Sequence, residues 1–537
     1  MAKEGEDSKA AHTIAVGLSD ARRVVRSAWG ITAWTAVSRL TGVLRDATIA
    51  RFLGASALSD AFYTAFRIPN AFRAIVGEGG LPGAFVPMAK KVERERPGAE
   101  GTYAGRMLAL LLLVLVVLTA LGVAAAPFLV TLFAEGFKAT PGKFELTVAL
   151  TRWLFPYILL VSAAALLEAF LNAKGRFQLS AATPIALNLA IVAAAWLLAP
   201  AGVSATTALV VGVLAGGLAQ FLMQAPAARR LGMRFGGRPF GDPEVKETAL
   251  LIAPRLYGYG VGQISFLISS RTLAALGNAY VTFNFCAFRV VDLVLGGFAV
   301  SLTRAVLPSL SEQAQVEGRG SFRETLSLSL RLVAFVTIPS MVGLLLLARP
   351  VIDVVFRRGR FTADDVTQTA IAVVFFAIGL YAAAGVKILT QAFYALHDTR
   401  TPVAVATFDL AVFWLLCVAL AGPMKHAGVA LATSAGFWVN FLLLLVLLRR
   451  KVGPIGLRRL LGSGGRVALA TLVMALAVLT LAERLLPYDA TWRFAVRLLW
   501  VGGVAAFGAV VFVGTAALLK APEVRETFGA LLRGKSL

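Results

Sequence analysis

Residues 38–62 read SRLTGVLRDATIARFLGASALSDAF, an apolar stretch that nevertheless carries Arg39, Arg45, Asp46, Arg51 and Asp60. The next apolar residues bring Arg67 and Arg73, and similar stretches downstream bring Arg255, Arg289 and Asp292. An ionisable side chain at bilayer depth costs several kcal/mol unless it meets a partner or a wet cavity, so each of these residues needs a reason. Arg39, Arg45, Arg67, Arg73, Arg255 and Arg289 outnumber the acids Asp46, Asp60 and Asp292 on the same segments, which leaves surplus positive charge. Arginine stays charged when buried, and its planar fork of donors matches phosphate oxygens. These residues are therefore candidates for a receptor of a phosphate-bearing substrate. The competing reading of each one is an intramembrane ion pair or an interfacial anchor, and near the end of its span Arg51 fits snorkelling better.

Helical spacing places Arg39 and Asp46 on one face, and Asp60 and Arg67 on another, with Pro69 expected to bend the second helix. Asp409 is the lone acid of its apolar segment. It reads either as an acid facing a wet crevice or, together with Thr433, as a site for a cation such as sodium; no other cofactor or metal is expected. No enzyme constellation is visible: His12, His397 and His426 are far apart in sequence, and GEGGLPG at 77–83 lacks the lysine of a phosphate loop. Cys286 and Cys417 lie inside apolar segments without metal or redox spacing and read as packing residues.

The elements that must position these side chains follow from composition. The chain has 537 residues, of which 58% are hydrophobic and 15% charged, and a mean hydropathy of +0.78. That is a polytopic membrane protein, and its net charge of +23 is not read as nucleic-acid binding because most charges fall between the apolar runs. The runs suit helices and lack the ten-residue alternation of a barrel, so the fold class is all-α. About fourteen spans are expected, centred near residues 40, 67, 115, 160, 190, 217, 262, 293, 338, 380, 411, 438, 473 and 506. The connections on one side, with both termini, hold about thirty Lys and Arg against about a dozen on the other, which predicts cytoplasmic termini. The basic loop ARPVIDVVFRRGRFTADD, assigned to the outside, runs against that count. No removable signal peptide is expected.

A repeat organises the chain. RFLGASALSDAFYTAFRI resembles AALGNAYVTFNFCAFRV, pairing Gly54 with Gly277, Arg67 with Arg289 and Pro87 with Pro308 at separations of 223, 222 and 221 residues. Parallel halves with a substrate site where they meet are a common transporter plan. The expected partition is a cytoplasmic segment 1–27, an N-lobe 28–232, a C-lobe 247–452, two further spans at 460–520 and a cytoplasmic tail 521–537.

The stretch SRLTGVLRDATIARFLGASALSDAFYTAFRIPNAFRAIVGEGGLPGAFVPM resembles the MurJ (MviN) family of lipid II flippases, within the multidrug/oligosaccharidyl-lipid/polysaccharide exporter superfamily. The resemblance is renewed at PRLYGYGVGQISFLISS, LPSLSEQ, PVIDVVFRRGRFTADDV, YALHDTRTPV and HAGVALATSAGFWVNFLLLL. It implies fourteen helices, two six-helix lobes around a cationic cavity, and two last helices flanking a groove for a lipid tail. It also implies a transporter, not an enzyme, of the bacterial cytoplasmic membrane, with lipid II, the undecaprenyl-pyrophosphate-linked peptidoglycan precursor, as cargo. No oligomer is implied, and membrane lipids are the other expected partners. Arg39, Arg45, Arg73 and Arg289 match the family's substrate-contacting positions, with Asp60 the matching acid, Arg67 a matching basic position and Asp46 the partner of Arg45. The family's sodium site is matched only in part, by Asp409 and Thr433, and Phe288 stands where some relatives have an acid. The rival readings are another exporter of that superfamily, or a non-transporting scaffold or anion channel.

Overall fold

The computed structural model describes residues 34–73, 80–296, 306, 309–315 and 320–526, with side chains at 253–261 and 457 outside that set. The segment 1–27, Glu78, Pro308, the Arg255 side chain and the end of the tail lie outside the described residues. Every described element is a helix or a connection, with no strand among the described residues. In chain order they are α1 (34–53), then α2 (Ala57–Arg73), α3 (Leu81–Glu95), α4 (Glu100–Ala124), α5 (Ala126–Ala134), α6 (Lys143–Leu154), α7 (Tyr157–Ala173), α8 (Phe177–Leu198), α9 (Ala205–Arg230), α10 (Pro243–Ala275) and α11 (Tyr280–Val294). After these come α12 (Gly320–Phe356), α13 (Ala363–Ala377), α14 (Leu380–Ala395), α15 (Arg400–Val452), α16 (Leu457–Leu479) and α17 (Phe494–Leu518).

All fourteen expected centres fall within these helices. By length and apolarity, eight helical stretches among the described residues can cross a membrane, and a ninth if α13 and α14, bent by 44°, form one broken span. One of the eight, α15, contains two expected spans, because Lys425 at φ 52° breaks its helical path. The remaining four centres lie in α1, α2, α10 and α11, which carry the candidate arginines. Charge is thus concentrated in the helices least suited to face lipid, and large apolar side chains such as Leu121, Leu197, Leu499, Val510 and Leu518 are exposed on the others.

Contacts divide the chain into two units, and their boundaries cut across the chain order. The first contains residues up to 48, 66–126 and 149–259. Its α8 and α9 form an antiparallel pair; the Ser204 side chain caps α9 by accepting the Thr207 N–H at 3.2 Å. Phe85 and Tyr103, both buried, stack at 5.3 Å in its interior.

The second unit contains 49–65, 127–148 and 260 onward. Its main core gathers side chains of α11 to α15, including Phe322, Phe356, Phe376 and Phe393, and a second core joins Phe335 of α12 to Met474, Trp500 and Phe512 of α16 and α17. A capping box starts α13: Thr362 accepts from the Asp365 N–H while Asp365 accepts from the Thr362 N–H.

Candidate substrate-binding site

In the first unit Arg45 and Asp46 form a buried pair. Arg45, 8% exposed, donates from Nε and Nη2 to Asp46 Oδ1 at 2.9 and 2.7 Å, and from Nη1 to Asn188 Oδ1 of α8 at 3.0 Å. Asn188 in turn donates to the Ser38 carbonyl and to Thr41 Oγ1, both at 3.2 Å, which fixes its amide with the oxygen toward the guanidinium. Asp46 is therefore engaged by its neighbour Arg45, not by Arg39 across the turn, and Arg39 is half-exposed.

Arg73 ends α2, donates from Nε to Asn70 Oδ1 at 2.7 Å, and lines a cavity of about 440 Å³ with Glu168, Asn172, Gln220 and Gln224. Both glutamine amides are fixed by donation, Gln220 to the Thr183 carbonyl and Gln224 to those of Ala164 and Gln220. Their Oε1 atoms are buried acceptors without a partner among the described residues. Arg67 lies half-buried on α2.

Asp60, in the second unit, differs from the expectation that it faces substrate. Its carboxylate has no exposed surface and accepts four bonds: from Lys143 Nζ at 2.9 Å, the Ala279 N–H at 2.7 Å, and the Thr282 N–H and hydroxyl at 2.9 and 2.7 Å. Lys143 also donates to Asn278 Oδ1 at 3.0 Å and sits 3.9 Å from the Phe137 ring centroid. The sequence expectation joined Asp60 to Arg67 along one helix face; the tertiary fold instead uses it to hold the first turn of α11. Arg289 lies over the Phe285 ring at 5.6 Å, and Asp292 is half-buried on the same helix.

Lys143 and Asn188 went unremarked in the sequence. Asn188 was findable as an amide inside an apolar run, IALNLAIV, whereas Lys143 follows a Thr-Pro-Gly turn and reads as solvated.

Asp409 accepts from Asn440 Nδ2 at 3.2 Å, and its Oδ1 is buried without a partner among the described residues. That oxygen faces the second half of α15 beside Gly436, one turn from Thr433, whose hydroxyl donates to the Val429 carbonyl at 2.9 Å and keeps its lone pairs. No cluster of three or more His, Cys, Asp or Glu suited to a metal occurs among the described residues. Elsewhere in the second unit, an apolar groove of about 400 Å³ runs between α12, α16 and α17, lined by Phe335, Pro339, Gly343, Met474, Gly508 and Phe512.

Comparison with known proteins shows the family of this chain. The family model described as lipid II flippase MurJ matches residues 49–499. This chain belongs to the MurJ family. It is 30% identical to a probable lipid II flippase MurJ of Vibrio cholerae over 93% of this chain and 96% of that one. It is 34% identical to the lipid II flippase MurJ of Burkholderia cenocepacia over 78% of this chain and 83% of that one. Among solved structures, a MurJ in its inward closed conformation superposes with a TM-score of 0.76 at 24% identity, covering 91% of this chain and 98% of that one. An inward-facing multidrug transporter of the MATE family and MOP superfamily gives 0.61 at 14% identity, over 78% and 95% of the two chains. The MurJ and MATE likenesses show an all-helical fold shared with those chains.

Proposed function

We propose that this membrane protein is a lipid II flippase, a transporter that carries the pyrophosphate-linked peptidoglycan precursor from the inner to the outer leaflet. The observation that carries the reading is the family match across residues 49–499. The physical difficulty of the task is the charged headgroup, which hydrocarbon cannot solvate. Arg39, Arg45, Arg73 and Arg289, with Arg67 and Arg255, replace water around the pyrophosphate with charge-assisted hydrogen bonds while the prenyl tail remains in lipid. Asp46 and Asn188 hold the Arg45 guanidinium buried and oriented until the pyrophosphate takes the place of Asp46. The polar side chains that line the cavity beside Arg73, Glu168 and Asn172 among them, suit the sugar and peptide part of the headgroup. Neutralisation of the arginines then lets the protein exchange inward-accessible for outward-accessible states. Asp409 and Thr433 would hold a sodium ion, which would supply a coupling charge, and both termini face the cytoplasm in this scheme.

Cells depleted of their own lipid II flippase provide the test. The wild-type chain is expected to restore growth, and Arg45→Ala or Arg289→Ala at equal expression is expected not to. Growth on either alanine variant would remove that arginine from the essential mechanism, and failure of the wild type would remove the flippase reading.

A further inference from the structure

The connection from α9 to α10, residues 231–242, links the two repeats read from the sequence and takes no part in the site above. A link between two moving halves is ordinarily slack. This one, together with the first turns of α10, is bound to α3 and α4, all within the first unit.

The seat begins at the backbone. The Arg234 N–H donates to the Gly101 carbonyl at 3.1 Å. A Cβ on Gly101 would stand 1.9 Å from the Gly232 carbonyl oxygen, and one on Gly105, a turn later, would stand 1.6 Å from that of Arg234. Glycine at both positions is what lets the connection lie directly on the helix. Met233 and Val245 of the seated segment are 3% and 1% exposed, apolar surface that the seat keeps from water.

Polar groups lock the start of α10 to the same place. Asp242, 8% exposed, caps the helix by accepting from the Glu244 and Val245 N–H groups at 3.0 and 3.3 Å, while its other oxygen accepts from Arg106 Nη1 of α4 at 2.6 Å. The cap of α10 is thus also its bond to α4. Further along, the buried Thr248 hydroxyl donates to the Glu244 carbonyl at 2.8 Å. Its one proton is committed there, so the Tyr103 hydroxyl of α4 must donate to it, at 2.7 Å. Tyr103 is itself stacked on Phe85 of α3. Outside this row, Glu244 pairs with Arg96, and Glu247 with Lys91 at 3.4 Å. Exposed pairs of this kind add little. The buried bonds and the backbone contact have to break together, which sets the seat apart from a loose ionic latch.

We propose that residues 231–248 form a fixed mount, one that keeps its seat on α3 and α4 through every state of the transport cycle and carries the first turns of α10 with the first unit. It rests on the flippase reading only for the existence of that cycle. The test uses the full-length protein in lipid vesicles, where the two native cysteines, Cys286 and Cys417, are buried. Lys91→Cys with Glu247→Cys, joined by a short reducible bis-methanethiosulfonate, is expected to move lipid II within about twofold of the same protein after reduction. Loss of transport on joining, regained on reduction and absent from each single variant treated alike, overturns the proposal. A second readout needs no transport. Thr248→Cys is expected to react with a water-soluble maleimide roughly tenfold more slowly than Lys91→Cys, with lipid II or without it. Val245→Cys serves should Thr248→Cys not fold. Adding Gly105→Val, whose side chain would meet the Arg234 carbonyl, is expected to bring the rate up to that of Lys91→Cys. Fast reaction at position 248 in the resting protein, a rise on adding lipid II, or no response to Gly105→Val overturns the mount. A wild-type protein that moves no lipid II removes the flippase reading instead, and the reaction rate at position 248 still decides the mount.

Discussion

Two buried charge clusters, one in each unit, use similar parts to opposite ends. Around Asp60 every acceptor position is filled by a group whose place the fold fixes: a lysine from α6, two backbone N–H groups and a threonine hydroxyl at the start of α11. Around Arg45 the carboxylate belongs to the adjacent residue and the third partner is one amide on α8. A saturated cluster resists exchange because each lost bond leaves a buried group unpaired. Arg45 makes three bonds to two side chains, so a phosphate that displaces Asp46 there has fewer of them to replace. Saturation therefore separates a charge that holds the fold from one kept available for a ligand, although both lie on neighbouring helices near the start of the chain.

That contrast is broken most directly at Asp60. Removing one partner of a buried pair leaves an uncompensated charge, so Asp60→Ala is expected to lower stability by about 3–5 kcal/mol, and Asp60→Leu combined with Lys143→Met to recover much of it. Thermal unfolding in detergent reads both; an Asp60→Ala protein that melts like the wild type but has lost transport would make Asp60 a ligand contact after all. Arg45→Ala also leaves a buried carboxylate, that of Asp46, without its guanidinium and is expected to cost about 3 kcal/mol, the lower end of that range. Transport of lipid II in vesicles should nevertheless fall to background. Asn188→Leu sharpens the point: it leaves the Arg45–Asp46 pair, removes the orienting amide, and is expected to weaken binding of a lipid pyrophosphate several-fold with little change in melting temperature.

A third, smaller effect concerns Asp409, whose orphaned oxygen makes it intermediate between the two clusters. Replacing potassium with sodium is expected to raise the melting temperature of the wild type by a few degrees and that of Asp409→Asn not at all; equal response of the two proteins would remove the cation site.

The least effect is expected at exposed pairs. Hydrogen bonds from Lys174 and Lys90 hold Glu93 well below the usual carboxylate range, at about 2. Lys451, together with the Thr401 N–H, does the same for Asp398, also at about 2. Both folded values lie below the unfolded ones, so the stability these acids contribute is present above about pH 4 and lost as pH falls toward 2. Solvent screening keeps the contribution small. Glu93→Gln with Asp398→Asn should flatten the melting temperature slightly between pH 5 and pH 2, and a large change there would mean that surface pairs matter as much as the buried ones.

The helices themselves were legible from apolar run length, since a segment that spans a bilayer must satisfy its backbone internally and announces itself by composition. The resemblance carried in MurJ-like motifs such as PVIDVVFRRGRFTADDV gave the family, and the excess of arginine over acid gave the expectation of an anionic cargo. Partnership was another matter. Helical spacing linked Asp60 with Arg67 and Arg39 with Asp46, because periodicity knows only neighbours on one helix.

The sequence by itself thus determined which segments enter the membrane, the sign of the charge they carry in and the family to which they belong, because hydropathy and local motifs are properties of contiguous residues. Only the tertiary structure decided that Lys143 neutralises Asp60 from 83 positions away and that Asn188 reaches Arg45 across 143. It likewise seated the basic loop on the end of α1. A buried charge is stabilised by whatever polar group the packing of distant helices delivers within about 3 Å, and no local pattern encodes that delivery.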